Sequence, residues 1–332
     1  MLEGNTNIIF DTQESNFAEL AIEVFKFQYE HNKVYHDFCN FVGTNPVGIS
    51  RIEQIPFLPV SFFKNHSVIV SEQIPETTFS SSSTTNTGQS LHPVASLQLY
   101  EASFMKAFEL FYGPIHNYCI LALLPSYIER QGSSLVYMVN KLIEKSGSEQ
   151  SGFYIDDPIT IGFEKLSHTI DLCETNRQPT ILLGVTFALM DFAEQFPKKL
   201  NHTIIMETGG MKGRKREMQK AELHQYLTTQ FGVDRIHSEY GMTEMLSQAY
   251  SKGNGIFAAP PWLKIMIRST DDPMQIIGDE QWGGINIIDL ANIYSCSFLA
   301  TDDIGKTHHN NTFETAGRLD YSDVRGCSLL YI

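Results

Sequence analysis

The chain has 332 residues, 42% of them hydrophobic and 19% charged, enough to bury an extensive core in one large domain or two lobes. Its 24 Lys and Arg stand against 38 Asp and Glu, a formal charge of −14, and a field of that sign argues against nucleic acid and anionic membrane surfaces as partners. The apolar run Cys119–Leu124 is too short for a membrane span, the Met1 segment has no signal-peptide pattern, and the cysteines (39, 119, 173, 296 and 327) form no C-x-x-C pair, so a cytoplasmic protein without a disulfide framework or zinc site is expected.

Phe17, Leu20, Ala21, Val24 and Phe27 recur at close to helical spacing and predict a helical preface over residues 1–55, followed by a broken stretch through Pro46 and Pro59. Leu97, Tyr100, Phe104, Phe108 and Phe111 form a second helical stripe that Gly113 is placed to stop. Strands then alternate with helices: Cys119–Leu124, a helix over Leu135–Ile143, strand Thr180–Val185, a helix over Phe187–Phe196, and strand Thr203–Met206. That rhythm predicts an α/β core over 56–259 with a mixed, mostly parallel sheet. After Pro260-Pro261 the runs Leu263–Ile267, Ile285–Leu290 and Ser295–Ala300 read as strands of a β-rich subdomain over 260–332.

Two short segments carry chemistry. Phe79 to Ser90 packs hydroxyls and uncluttered backbone amides into one turn-prone stretch suited to a polyphosphate; as residues alone it reads equally well as a solvated Ser/Thr loop. Tyr240-Gly241-Met242-Thr243-Glu244 offers an aromatic face, a flexible glycine, a hydroxyl for a phosphate oxygen and a hard carboxylate for Mg²⁺; the same pentapeptide also suits a helix start capped by Thr243.

These segments, with Thr301-Asp302-Asp303-Ile304 and Gly317-Arg318-Leu319-Asp320 following in order, resemble the signature elements of the adenylate-forming enzymes. Ile55 to Val60, the Thr301–Ile304 spelling and the terminal Ser322–Cys327 are most similar to the LuxE-type acyl-protein synthetases. The resemblance implies the amino-terminal domain of that fold and the cofactors ATP and Mg²⁺. It assigns Ser81, Ser82, Thr84, Thr85 and Gly88 to the phosphates, and Gly209 and Gly210 to the adenine. Tyr240 and Gly241 belong to the nucleotide pocket, with Thr243 at the α-phosphate and Glu244 on Mg²⁺. Asp303 falls at the ribose hydroxyls, Arg318 at ribose or phosphate, and Cys327 at the acyl thioester. The phosphate loop departs from the family pattern at Ser83 and Asn86 and lacks a closing lysine, and the sequence stops after the hinge, without the small carboxy-terminal domain.

The expected activity is adenylation of a carboxylic acid, in the LuxE-type group a long-chain fatty acid, followed by transfer to a protein thiol, with an acyl-accepting partner such as an acyl reductase. The alternatives are an acid–CoA ligase of the phenylacetate-ligase kind and a non-catalytic adenylate-binding scaffold. Lys212, Arg214, Lys215 and Arg216 read as a solvated helix start, His237 as a structural histidine or a carboxylate orienter, and Thr180–Met190 as core or as an acyl-pocket wall in which Gly184 and Ala188 leave room for a chain.

Overall fold

The computed structural model describes residues 7–81, 88–125, 132–155, 162–209 and 219–318. Between Cys119 and Tyr240 each strand is followed by a helix that carries the chain back to the same edge. Strands Cys119–Pro125, Gly152–Ile155, Thr180–Val185, Thr203–Thr208 and His237–Tyr240 pair in parallel. Helices Ser134–Ser146, Phe163–Thr175, Thr186–Gln195 and Lys220–Phe231 connect them. Several of these strands read as unbroken apolar runs because both faces are covered. Gly184 shows how tightly: a Cβ there would meet Leu123 at 2.8 Å and Leu189 at 3.0 Å. The room expected beside it for an acyl chain is filled by leucine.

After Tyr240 the pairing turns antiparallel and the same sheet continues through Ala249–Ser251, Phe257–Ala258, Thr312–Arg318, Phe298–Thr307, Gly283–Asp289, Leu263–Arg268 and Ile276–Ile277. Leu58–Pro59 adds a short parallel strand beside Phe298–Thr307. The strand expected over Ser295–Ala300 instead begins at Phe298 and runs on to Thr307. The displacement has a physical cause, since much of the backbone from Asn292 to Ser297 is bonded by the side chains of Gln28, Asn32 and Asn292.

Those side chains come largely from the helical preface. Helix Glu14–His31 buries Phe17, Leu20, Ala21, Val24, Phe25 and Gln28; Phe27 packs half-buried against the same core, its ring 4.9 Å from that of His31. Gln28 is fully buried, and its amide donates to the carbonyls of Asn292 (3.1 Å) and Ile293 (2.8 Å) while accepting from the Ser297 amide (3.0 Å). Asn32 donates to the Ser295 carbonyl at 2.8 Å. The preface is thereby bonded to the segment that leads into the Asp303 strand.

The second helical stripe is the helix Leu97–Tyr112, capped by the Ser96 side chain and ended by Gly113 at φ +81°. Just before it, Thr77–Ser80 and Leu91–Val94 form a separate antiparallel hairpin. Ser81 and Ser90 clasp its open end, the Ser81 amide on the Ser90 carbonyl and the Ser90 amide on the Ser81 hydroxyl, each at 3.0 Å. No helix among the described residues is long and apolar enough to cross a membrane.

Gln28→Ala is expected to cost about 2–4 kcal/mol, because several buried backbone groups lose their partner together. Lys33→Ala, which removes an exposed ion pair with Asp37, should leave the urea midpoint unchanged. Equal midpoints for parent and Gln28→Ala would show that the preface does not hold this segment.

Candidate active site

Tyr240 closes the last parallel strand, and its hydroxyl donates to Asp303 Oδ2 at 2.8 Å. Asp303 stands opposite Arg318 in the neighbouring strand pair, and Arg318 Nε donates to Asp303 Oδ1 at 3.3 Å. Four strand spacings separate Tyr240 from Asp303 in the sheet order, about 19 Å in a flat sheet at ~4.8 Å each. The sheet therefore folds over here, and the Tyr240 ring crosses the bend with Phe257 and Phe313 at 5.9 and 5.5 Å. A register shift at Ile304/Gly305 accompanies it. Gly305 is required there, since a Cβ would lie 2.5 Å from the Glu314 carbonyl.

Behind Asp303 lies a buried polar support. The Asp303 amide donates to Thr301 Oγ1 at 3.0 Å, and that hydroxyl donates to the Ile285 carbonyl at 3.0 Å. Arg268, 6% exposed, donates to the carbonyls of Ile285 (2.8 Å) and Thr301 (2.6 Å) and to Asn286 Oδ1 (2.9 Å). Its charge is met by backbone dipoles, and it fixes the strand from which Asp303 projects.

Thr243 and Glu244 occupy a turn, and the next element is the strand Ala249–Ser251. Thr243 is therefore not a helix cap. The turn is held from below by Asp289, fully buried, which accepts from the amides of Leu246 (2.8 Å), Ser247 (3.0 Å) and Ala291 (3.2 Å) and from the Ser247 hydroxyl (2.6 Å). Asn292 Nδ2 donates to the Glu244 carbonyl at 2.8 Å. The Glu244 side chain is 7% exposed. Burial pushes its carboxyl above the usual range, the Ser90 hydroxyl and Arg318 pull it back, and Asp302 pushes it further up.

The fold thus gathers Tyr240, Gly241, Thr243, Glu244, Asp303 and Arg318 at one end of the sheet. Gly209, at φ +74°, follows the adjacent parallel strand at the same end, with its carbonyl accepting from Thr186 Oγ1 at 3.2 Å. Ser81 is tied to Ser90 at the hairpin end, and Gly88 has φ +84°. Ser82, Thr84, Thr85, Gly210 and Cys327 lie outside the described residues, as do Ser83, Asn86 and the basic residues Lys212 to Arg216. His237 opens its strand and is hydrogen-bonded to the Tyr112 hydroxyl at 3.1 Å. Its ring is pushed down to about 4 by burial, with Lys252 and Arg235 adding to the effect.

Across residues 6–331 the chain matches the family model for acyl-protein synthetase, LuxE. The chain belongs to that family. No curated protein matches it. Among solved structures it is similar to an open conformation of 2-hydroxyisobutyryl-CoA ligase in complex with 2-HIB-AMP and CoA, at 10% identity and a TM-score of 0.62 over 93% of this chain and 70% of that one. It is also similar to ATP-bound MatB from Rhodopseudomonas palustris, at 15% identity and a TM-score of 0.55 over 73% of this chain and 47% of that one. The luciferase-like enzyme of the nonluminescent mealworm Zophobas morio gives 15% identity and a TM-score of 0.51 over 84% and 62%. The chain spans just under half the length of MatB. At these identities the likeness establishes the fold, that of the amino-terminal domain of adenylate-forming enzymes.

Beneath this candidate site lie two carboxylates on adjacent strands. Glu207 accepts from Ser238 Oγ at 2.7 Å and faces Lys220 Nζ at 3.2 Å and His224 Nε2 at 3.5 Å. Burial works against its charge, but these partners outweigh it and hold the carboxyl below the usual range. Glu239, whose importance the motif reading did not register, accepts from the Thr208 hydroxyl, and its Oε1 lies 2.7 Å from where a side chain at Gly241 would begin. Its carboxyl is pushed up to about 7 by burial, helped by the charge on Glu207 and opposed by Thr208 and Lys220.

Because the folded value of Glu239 is raised, its favourable contribution is complete below the unfolded value and is lost as pH rises through about 7. Glu239→Gln, which never ionises, should therefore gain Tm relative to the parent between pH 5 and 8, by roughly 2–5 °C. A difference in Tm independent of pH would place the Glu239 carboxyl at an ordinary value.

Proposed function

We propose that this LuxE-family chain activates a carboxylic acid as an acyl-adenylate and passes the acyl group to a protein thiol, the acid being a long-chain fatty acid on the family resemblance. The observation that carries the reading is the Tyr240–Asp303–Arg318 contact set beside the buried Glu244. A carboxylate offers about four acceptor directions. Tyr240 and Arg318 each occupy one on Asp303, leaving two for the vicinal hydroxyls of a ribose. Arg318, 66% exposed, presents a permanent positive charge at the same place for ribose or phosphate oxygens.

Magnesium prefers one or two carboxylates and completes its shell with water and substrate phosphates. Glu244 with Asp302 nearby fits that demand, and the described residues hold no cluster of three or more His, Cys, Asp or Glu that could hold a metal ion. A bound Mg²⁺ would supply neutralisation of the polyphosphate charge. Ser81, Ser82, Thr84, Thr85 and Gly88 would hold the phosphates, Thr243 the α-phosphate, and Gly209 and Gly210 the adenine. A carboxylate oxygen of the acid then attacks the α-phosphorus, pyrophosphate departs, and the mixed anhydride with AMP carries a good leaving group that the free acid lacks. Attack by a thiolate sulfur on the acyl carbon expels AMP. Cys327 is the thiol we assign, with an acyl reductase or similar protein as the onward acceptor. Free CoA as the obligatory acceptor would mark the chain as an acid–CoA ligase instead.

The test of the nucleotide assignment is calorimetry on two neighbours. Each charge-assisted bond from Asp303 to a ribose hydroxyl is worth about 1.5–3 kcal/mol, so Asp303→Ala should weaken AMP and ATP alike by roughly tenfold or more. Asp302→Ala should leave AMP binding at the parental level. A larger loss of AMP binding at Asp302 than at Asp303 would overturn the ribose assignment.

A further inference from the structure

His92 lies outside every motif, in the hairpin strand that follows the Ser/Thr segment. It is fully buried, and its Nδ1 is 2.7 Å from the carbonyl oxygen of Thr243, 151 residues away in sequence. A carbonyl only accepts, so Nδ1 carries the proton and Nε2 presents a lone pair. That Nε2 is buried beside Asn292 without a partner in hydrogen-bonding geometry. An unpaired buried acceptor is costly, and a phenylalanine would fill similar space without it. The bond to Thr243 is what the imidazole supplies in return.

The neighbouring contacts make this bond part of a pattern. Asn292 donates to the next carbonyl, that of Glu244, at 2.8 Å, and Asp289 accepts from the amides of Leu246 and Ser247. Two residues before His92, Ser90 lies beside the Glu244 carboxyl, where its hydroxyl favours the charged form, and it closes the hairpin end through Ser81. The hairpin thus touches the turn at two consecutive residues, backbone at Thr243 and side chain at Glu244. Burial holds the His92 ring down to about 4, so it stays neutral and keeps this tautomer at physiological pH.

We propose that His92 is a positioning residue that couples the hairpin Thr77–Ser80/Leu91–Val94 to the Thr243–Glu244 turn, so that the hairpin end closed by Ser81 and Ser90 and the metal-directed carboxylate address one polyphosphate together. The proposal rests on the adenylation reading, and it predicts a selective effect. His92 belongs to the phosphate end of the site, where Thr243 is assigned to the α-phosphate, whereas adenosine, which carries no phosphate, is read at Asp303.

The experiment is calorimetry of the full chain with adenosine and with ATP in Mg²⁺, without turnover. Loss of the Thr243 bond in His92→Phe should weaken Mg-ATP about tenfold and leave adenosine within about twofold of the parent. His92→Asn, whose Nδ2 can stand where Nδ1 stood, should restore Mg-ATP binding. His92→Gln, with its donor one methylene further out, should behave as His92→Phe does and carries the test if the phenylalanine variant does not fold. A parental ratio of Mg-ATP to adenosine affinity in both His92→Phe and His92→Gln would overturn the coupling, as would equal loss of both ligands without rescue by Asn. A parent that binds neither ligand would instead remove the adenylation reading beneath it.

Discussion

The buried carboxylate of Asp289 is the constraint on which the site depends. The chain leaves the parallel half of the sheet at Tyr240 and enters the antiparallel half at Ala249, and the reversal between them would expose several backbone amides to an apolar interior. Asp289 receives three of the nearby amides and the Ser247 hydroxyl. Burial pushes its carboxyl up, and those donors favour the charged form that accepts them. Trp262 Nε1 and the Ser103 hydroxyl meet the same Ser247 at 3.1 and 3.0 Å, which ties helix Leu97–Tyr112 into the arrangement. This anchor joins the segment that follows the Thr243–Glu244 turn to the strand next to the one that bears Asp303.

The two ends of the site differ in their physics. At the Asp303 end the groups are partly open to solvent: the Asp303 side chain is 13% exposed and Arg318 66%. At the Glu244 end the carboxyl is buried, and an unneutralised charge there is costly. Such a contrast suits a ligand whose sugar end is read by hydrogen bonds and whose polyphosphate end arrives with its own counterion. The curled sheet is what places the two ends side by side, with Tyr240, Phe257 and Phe313 packed through the bend.

Much of this was legible in the chain. The apolar runs from Cys119 and from Thr180 mark parallel strands because a doubly covered strand must be apolar on both faces, and Gly113 marks the helix end it forms. The spelling around Tyr240, Asp303 and Arg318 pointed to residues that the curled sheet brings into contact. What escaped notice is the set that holds them: Gln28, His92, Arg268, Asp289 and Asn292. Each is a single polar residue buried against partners that are mostly remote in sequence, as when Gln28 meets Ser297, and no local period announces such a contact. A faint signal existed, in that Gln28 falls on the apolar face of its helix and Asp289 closes an otherwise apolar strand.

The central claim is that the chain makes acyl-adenylate, and the most direct measurement is exchange of labelled pyrophosphate into ATP across a panel of carboxylic acids. The account predicts exchange that requires both an acid and Mg²⁺ and that rises with acid concentration to saturation. Nucleotide binding with no exchange for any acid in the panel, or exchange that proceeds equally without acid, would contradict it.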